Sequence, residues 1–174
     1  SEFFFDFNED VLNGWTVKNA YDNANNWQML KGAGVDGTNC IVSYSYKTYP
    51  DQFFAADNFI MTERTYNITE NSKLSFDASR YSSGDANLDN SETYKEYIKV
   101  EVSKDGETFT MIEKALPTAG VFGNITIDLG AKFAELGLHY GNYHIALHHQ
   151  EKDGVYVSVD NIKLANVVTA KSEA

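Results

Sequence analysis

Apolar and polar residues alternate near the end of the chain, over residues 155–159 (VYVSV). This period of two is typical of a β-strand whose two faces have different surroundings. The parity then shifts, because Ile162 and Leu164 continue the apolar series on the other register. A slip of one residue moves side chains to the opposite face, so we predict a β-bulge or sharp bend at Asp160 and Asn161. We expect this closing strand to lie beside the first strand of the chain, residues 3–7.

Short strand patterns separated by turn residues cover most of the remaining chain. The predicted strands are residues 3–7, 15–17, 27–30, 39–46, 57–62, 73–78, 94–103, 108–112, 124–129, 142–149 and 155–164. A tight turn at Asp105 and Gly106 joins two of them, and residues 151–154 are predicted to join the last two as a hairpin. One or two helical turns are predicted over residues 131–136. The pattern predicts an all-β fold, an antiparallel two-sheet β-sandwich, as a single domain over residues 1–166 with a tail or linker at 167–174.

The composition and charge narrow the class of protein. The chain has 174 residues, of which 43% are hydrophobic and 14% aromatic, which excludes disorder and favours strands. The formal net charge is -11. A nucleic-acid partner is therefore not expected, because affinity for nucleic acid comes mainly from neutralising phosphates. The acidity suits a protein that holds cations or stays soluble outside a cell.

A single cysteine, Cys40, excludes an intramolecular disulfide, and its neighbours Ile41 and Val42 predict that it is buried. No apolar run approaches the ~20 residues that span a bilayer, so no transmembrane segment is predicted. No signal peptide is visible. The chain opens with Ser1 and Glu2 instead of Met, so we expect a mature or trimmed chain, for which a missing signal carries little information.

Three motifs together resemble a known family. They are residues 5–9 (FDFNE) running into residues 13–17 (NGWTV), residues 57–60 (DNFI), and residues 159–162 (VDNI), with Asn26 and Trp27 between the first two. Their order and spacing are similar to the cleaved adhesin and "choice-of-anchor J" domains of Bacteroidetes surface and secreted proteins, including the adhesin regions of gingipain proteases. The resemblance implies a jelly-roll sandwich, export to the cell surface or medium, and an adhesive module whose partner is a host or matrix protein or a glycan. It also implies structural calcium.

The calcium ligands that the resemblance implies are found here only in part. The loop before Trp27, residues 19–26, is mostly Asn, and Asp22 is its one acidic residue. This departs from the Asp- and Gly-rich loop of the family. Asp160 of the closing motif is retained, and Asn8 or Glu9 of the opening strand is the expected partner.

A second calcium candidate follows from residue spacing alone. Asp85, Asn87, Asp89 and Glu96 stand at loop positions 1, 3, 5 and 12 of a calcium loop, with Asn90 in place of the usual glycine. Helices that would flank an EF-hand are not predicted, because Glu96 lies in a strand pattern. A calcium-binding β-sandwich loop and a solvated acidic loop both remain open. Calcium is the preferred ion because the ligands are hard oxygens.

No catalytic constellation can be named from the sequence. His144 and His148 share a strand face but are about 13 Å apart at ~3.3 Å per residue, too far for one zinc ion, and His149 faces the other way. We expect outward polar positions and one packed histidine. Gly-x-Ser-x-Gly and Ser-x-x-Lys motifs are missing, and no carboxylate pair stands out for glycoside hydrolysis. We therefore expect a non-enzymatic protein.

Aromatic residues are the candidates for ligand binding. Tyr49, Phe53 and Phe54 fall in a loop-like stretch and are predicted to form a surface patch. Tyr44 and Tyr46 alternate with serines and are predicted to face the core. The expected function is an adhesion or binding module with structural calcium. The alternative is a carbohydrate-binding module, marked by two or three coplanar exposed aromatic rings, and a jelly-roll glycoside hydrolase is less favoured.

Overall fold

Two β-sheets face each other in the structure, a computed structural model that describes residues 1–48 and 52–169. In this part of the chain the strands are β1 (Glu2–Phe5), β2 (Trp15–Asn19), β3 (Gln28–Leu30), β4 (Cys40–Tyr44), β5 (Ala55–Thr62), β6 (Tyr66–Ile68), β7 (Lys73–Arg80), β8 (Ile98–Ser103), β9 (Thr110–Ala115), β10 (Thr118–Ala119), β11 (Gly123–Asp128), β12 (Gly141–Lys152), β13 (Tyr156–Ala165) and β14 (Val168–Thr169). The helices are α1 (Ala86–Asp89) and α2 (Leu129–Leu136), with a 3-10 turn at Val35–Gly37.

Each sheet has a simple strand order. Sheet A runs β10-β7-β13-β4-β3, with β1 beside β13 and β11 beside β7. Sheet B runs β14-β6-β12-β5-β2, with β8 beside β12 and β9 beside β8. The described pairs are antiparallel apart from β10 and β7, which are parallel. The predicted all-β sandwich of jelly-roll type is confirmed.

The core lies between the sheets and follows the strand period. In β5, for example, every second residue from Ala56 to Thr62 is buried, and the residues between them are half-buried on the outer face. Trp27, Phe76 and Phe133 are the largest fully enclosed side chains. Phe133 comes from α2, which begins at the cap Asp128 and so confirms the predicted helical turns.

The closing strand is as the alternation predicts. The pairing of β13 with β7 shifts register between Asp160 and Lys163, and Asn161 has a positive φ of 52°. Beyond this bulge β13 pairs with β1, where Phe3 lies opposite Leu164. Both the bulge and the neighbouring first strand are confirmed.

Cys40 is buried, and burial with the nearby Asp160 charge raises the pKa of its thiol to about 11, so it behaves as an inert core residue.

The predicted hairpin between the last two long strands is wrong. β12 lies in sheet B between β5 and β8, whereas β13 lies in sheet A between β4 and β7. The connection after Lys152 crosses from one sheet to the other. A Gly-containing polar turn has the same local signature whether it reverses the chain within a sheet or carries it across the sandwich.

Two further boundaries differ from the predictions. β8 begins at Ile98, because residues 94–97 turn aside and place Glu96 inside the protein. At the other end Val167 is buried and β14 pairs with β6, so the sandwich continues to Thr169 instead of ending at residue 166. Residues 170–174 lie outside the described residues.

No helix within 1–48 and 52–169 has the length and apolarity needed to cross a membrane.

Candidate binding surface

A buried polar cluster decides which face of β4 is exposed. Ser43, in β4, and Ser45, just beyond it, point between the sheets. The Ser43 hydroxyl lies 2.7 Å from Nδ1 of His149 and accepts a 2.8 Å hydrogen bond from the Asn58 amide. The Ser45 hydroxyl donates to Glu96, whose Oε1 is 2.9 Å from Nε2 of His149. Because the two serine hydroxyls have polar partners in Asn58, His149 and Glu96, the serines can occupy the interior, whereas Oδ1 of Asn58 has no hydrogen-bond partner among the described residues.

Ser43, His149 and Glu96 share the connectivity of a hydrolase triad, but they do not form an active site. Their exposed fractions are 0%, 0% and 1%, so no substrate can reach the serine oxygen. The cluster instead joins β4 of sheet A to β12 of sheet B. Gly154 packs against it so closely that an added Cβ would lie 2.3 Å from the Glu96 carboxyl carbon.

The inward serines place a line of tyrosines on the outer face of sheet A. The prediction that Tyr44 and Tyr46 face the core is therefore wrong: Tyr44 is half-buried and Tyr46 is 40% exposed. Alternation shows that serines and tyrosines occupy opposite faces, but it does not show which face is inside. Here His149 and the Asn58 side-chain amide, both buried between the sheets, form hydrogen bonds with Ser43 and so favour the inward orientation of the serines.

Four tyrosines make up this line, which we call the tyrosine strip: Tyr44, Tyr156, Tyr81 and Tyr94. Tyr44 and Tyr156 are directly opposed in neighbouring strands, and the Tyr81 amide donates to the Tyr156 carbonyl. Successive ring centroids are 6.2, 6.0 and 5.7 Å apart, with interplanar angles of 66°, 77° and 43°. The rings form a continuous edge-to-face and tilted row, not a flat platform.

An exposed aromatic pair follows Tyr44 along the chain. The rings of Tyr46 and Phe54 are 5.6 Å apart, and Phe54 is 51% exposed. The Lys47 amine lies 4.8 Å from the centroid of the Tyr44 ring, where it makes a cation–π contact. Of the residues predicted as a patch, Phe54 is thus at the surface, Phe53 is buried beside Lys47, and Tyr49 lies outside the described residues.

The tyrosine hydroxyls of the strip take no part in the hydrogen bonds of the described fold. Within residues 1–48 and 52–169 the four hydroxyls of the strip make no hydrogen bond, whereas those of Tyr140 and Tyr143 donate to backbone carbonyls. Burial, reinforced by neighbouring tyrosine and Cys40 groups, raises the pKa of Tyr44 and of Tyr156. Both hydroxyls therefore keep their protons at neutral pH and can donate as well as accept.

Sequence reasoning did not single out Tyr156 or Tyr81. Tyr156 alternates with the buried Val157 and Val159, so the pattern along the strand puts it on the opposite face from these valines. Its contacts with Tyr44 and Tyr81 depend on strands that are more than 70 residues apart in the chain, which alternation cannot pair.

The predicted calcium loop is arranged around hydrogen-bond donors. Asp85 caps α1 and accepts from the Asn87 amide at 2.9 Å. The Asp89 carboxylate accepts from the Ser82 hydroxyl at 2.6 Å and from both the amide and hydroxyl of Ser83 at 2.7 Å. These bonds lower the pKa of Asp89. The carboxylates are therefore already satisfied by N–H and O–H groups.

Glu96 does not join this loop. Its carboxylate lies inside the sandwich with His149 and Ser45, as described above. Among residues 1–48 and 52–169, no group of three or more His, Cys, Asp or Glu side chains is placed to hold a metal ion.

Asp160 is also surrounded by donors. It is fully buried at the bulge, where its Oδ2 accepts from the Val35 amide at 3.0 Å and the Thr38 hydroxyl at 3.2 Å, and its Oδ1 accepts from the Asn161 amide at 2.8 Å. Burial raises its pKa, and the nearby Asp77 adds to the rise, while the three hydrogen bonds oppose it. The carboxylate closes the 3-10 turn onto the strand.

The expected partners of Asp160 have other contacts. The exposed Glu9 accepts from the Asn13 amide, and the Asn8 side chain accepts from the Asn39 amide. As they stand, neither this set nor the Asp85 loop offers the converging free oxygens that calcium needs. Calcium binding stays a prediction.

Comparisons with known proteins show the fold. The structure is similar to the K1 cleaved adhesin domain of Lys-gingipain from Porphyromonas gingivalis W83, with a TM-score of 0.70, 20% identity, and coverage of 94% of this chain and 97% of that domain. The K2 cleaved adhesin domain of Lys-gingipain matches with a TM-score of 0.69 and 17% identity, and the match covers 95% of this chain and 99% of that domain. A family 61 carbohydrate-binding module in complex with β-1,4-galactotriose matches with a TM-score of 0.57, 11% identity, and coverage of 91% and 92%. No protein-family profile and no curated protein matches the chain. The resemblance predicted from the three motifs is confirmed as a likeness of fold.

Proposed function

We propose that the chain is a non-enzymatic adhesion module of an exported or cell-surface protein and that the tyrosine strip binds a glycan. The observation that carries the proposal is the strip itself. Four rings follow one another across β4, β13, the end of β7 and the segment before β8. Aromatic rings pack against the C–H faces of sugars, and free hydroxyls bond to sugar hydroxyls. Because the rings are tilted, we expect each ring to contact its own sugar unit.

The structural neighbours support a binding module. Two are adhesin domains and one is a carbohydrate-binding module whose own ligand is β-1,4-galactotriose. A fold does not determine a ligand, so the support for a glycan in this chain comes mainly from the strip. The enclosure of Ser43 and His149 supports a role without catalysis.

The proposal is tested by binding to a broad glycan array, followed by titration calorimetry with the best glycan. We expect Tyr156→Ala to weaken binding about tenfold, as loss of one ring contact does. Tyr156→Phe keeps the ring and should show a smaller loss that reports the hydroxyl. Phe54→Ala tests whether the exposed pair of Tyr46 and Phe54 extends the binding site. Phe4→Ala is its control, since Phe4 is also exposed, at 57%, but lies in β1 and is not part of the tyrosine strip or of this pair.

Two results would count against a glycan on the strip. One is a blank array with protein that melts cooperatively, which would favour a protein ligand for the adhesion module. The other is clear binding that Tyr156→Ala leaves unchanged. Melting curves of each variant separate lost contacts from lost folding.

A further inference from the structure

Three lysines lie in line across the outer face of sheet B, on the side of the sandwich opposite the tyrosine strip. Cross-strand partners run from Lys18 in β2 to Phe59 in β5, His148 in β12, Lys99 in β8 and Lys114 in β9. Directly opposed residues point to the same side of a sheet. We call Lys18, Lys99 and Lys114 the lysine row.

No carboxylate of the described residues lies within ion-pair distance of the lysine row. The Lys18 amine donates to the Gly106 carbonyl at 3.1 Å, and that of Lys99 donates to the Gln150 amide oxygen at 2.8 Å. The Lys114 amine lies 4.4 Å from the centroid of the Tyr97 ring. The hydrogen-bond and cation–π partners of the row are thus neutral, and none of its three lysines forms an ion pair with a described residue. The described ion pairs of other lysines involve Lys31, Lys73, Lys95 and Lys132.

The pairing of Lys99 with Lys114 costs stability. Like charges directly opposite each other in neighbouring strands repel. This protein has 25 acidic residues and only 14 Lys and Arg, so a random neighbour of a lysine would more often be acidic. Burial raises the pKa of the Glu151 carboxyl, whereas the charge of Lys114 acts on this carboxylate to lower it, so the described fold offsets the repulsion only in part. An anionic ligand would offset it further.

The acidic groups of this face lie beneath the lysines. Both Asp57 and Glu101 contact His148, at 2.5 Å from Nε2 and 2.8 Å from Nδ1. The second contact lacks hydrogen-bond geometry, and neither Oε1 of Glu101 nor Nδ1 of His148 has another hydrogen-bond partner among the described residues. Phe59 stacks on the imidazole with centroids 3.7 Å apart and separates it from Lys18. His148 and Glu101 are buried and Asp57 is half-buried, whereas Lys18 and Lys114 are exposed and Lys99 is half-exposed.

A depression adjoins the row at Gln150, the residue that holds the Lys99 amine. Its volume is about 270 Å³, and it is lined by Tyr21, Ala55, Ala56, Gln150, Glu151 and Lys152. Tyr21 is 52% exposed and offers a ring at the mouth. Glu151 is partly withdrawn, because its carboxylate accepts a hydrogen bond from the Tyr97 amide. A ring-sized space, an aromatic side chain and amines in line suit a sugar chain that carries negative charge.

We infer that the outer face of sheet B binds an anionic polysaccharide, with its carboxylate or sulfate groups on the lysine row and a sugar ring against Tyr21. This is a second binding face, separate from the tyrosine strip. The net charge of -11 would repel a polyanion from the molecule as a whole. The polyanion must therefore bind through short-range contacts with the lysine row. This binding should weaken steeply as salt is added, because the screening length becomes shorter.

The experiment compares three probes: polygalacturonate for carboxylate, dextran sulfate for sulfate, and dextran as the neutral probe. We expect the protein to bind at least one anionic probe and not dextran. Raising the salt from about 0.05 M to about 0.5 M should weaken the binding, since the screening length falls well below 10 Å. The double variant Lys99→Gln, Lys114→Gln should bind the anionic probe about tenfold more weakly. Each lost charge is expected to weaken the binding about two- to fivefold, and the two effects multiply. Lys163→Gln, an exposed lysine on sheet A, is the control and should stay within about twofold.

The folding check is built into the same variants. Removing the opposed lysines relieves repulsion, so the melting temperature of the double variant should not fall. Equal binding to dextran and both polyanions would overturn the inference, as would a double variant that binds like Lys163→Gln. Loss of polyanion binding in Tyr156→Ala would also overturn it, because the two faces would then not be separate. Retention of polyanion binding in that variant supports the lysine row whether or not the strip binds a glycan.

Discussion

Gly34 shows how one residue controls the approach of a loop to the closing strand. A Cβ at this position would lie 2.5 Å from the Asn39 carbonyl oxygen and 2.6 Å from Oδ2 of Asp160. The same carboxylate oxygen accepts the Val35 amide, so the 3-10 turn sits directly on the bulge. Only glycine leaves room for this contact.

Gly34→Ala should therefore destabilise the protein by about 1–3 kcal/mol, the usual cost of forcing an extra carbon into a packed site. Urea unfolding measures the change. Ala33→Ser, at the exposed neighbouring position, is the control and should stay within about 0.5 kcal/mol. An alanine variant as stable as the wild type would show that the turn can move away from Asp160.

Asp105 organises the turn between β8 and β9 at the scale of an element. Its carboxylate accepts from the amides of Thr108 and Glu107 at 2.8 Å and from the Ser103 hydroxyl at 3.0 Å. These bonds hold its pKa at about 2, below the ordinary 3.8. The turn also presents the Gly106 carbonyl that holds Lys18, so it supports the lysine row.

This lowered pKa predicts a pH dependence of stability. Because the folded state favours the ionised form, the contribution of Asp105 is complete above pH 3.8 and is lost as the pH falls through about 2. Asp105→Asn should therefore melt below the wild type at neutral pH, and the difference should shrink as the pH approaches 2. Glu107→Gln in the same turn is the control. A difference that does not change with pH would contradict the role of the charge.

Calcium is a question for the whole molecule, because its predicted ligands come from distant segments. The resemblance to adhesin domains implies structural calcium, although Asp85, Asp89 and Asp160 each bind donors in the structure. If calcium binds only the folded protein, a chelator should lower the melting temperature and added calcium should restore it. The gain is about 2.7 kcal/mol at a hundredfold excess over the dissociation constant.

Variants then locate the ion. Asp85→Ala with Asp89→Ala should abolish the calcium response if the spacing-based loop is the site, and Asp160→Ala should do so if the family resemblance is the better guide. The measured quantity is the change produced by calcium within each variant, since losing Asp89 also breaks its serine contacts. Melting curves that do not respond to chelation would contradict structural calcium.

At the scale of elements, alternation and turn residues were sufficient for most of the architecture. The strand class, the bulge beside Asp160 and the helical turns of α2 could be predicted, because each depends on side chains close together in the chain or on a shift of parity. The pairing of the closing strand with the first strand was also correct, but it joins opposite ends of the chain and does not follow from these local patterns. The hairpin after β12 was wrong, since pairing between central strands depends on distant segments that compete for the same edge.

The sequence by itself determined which residues share a face, and only the tertiary structure decided which face is buried and what lies next to it. Period two places Ser43 opposite Tyr44, yet the serine turned inward because His149 and Asn58, on other strands, give it partners. Tyr81 and Tyr156 met in the strip, and Lys99 met Lys114, through strand pairing alone. Both candidate surfaces are assembled across strands, and a pattern along one strand carries no information about its neighbours.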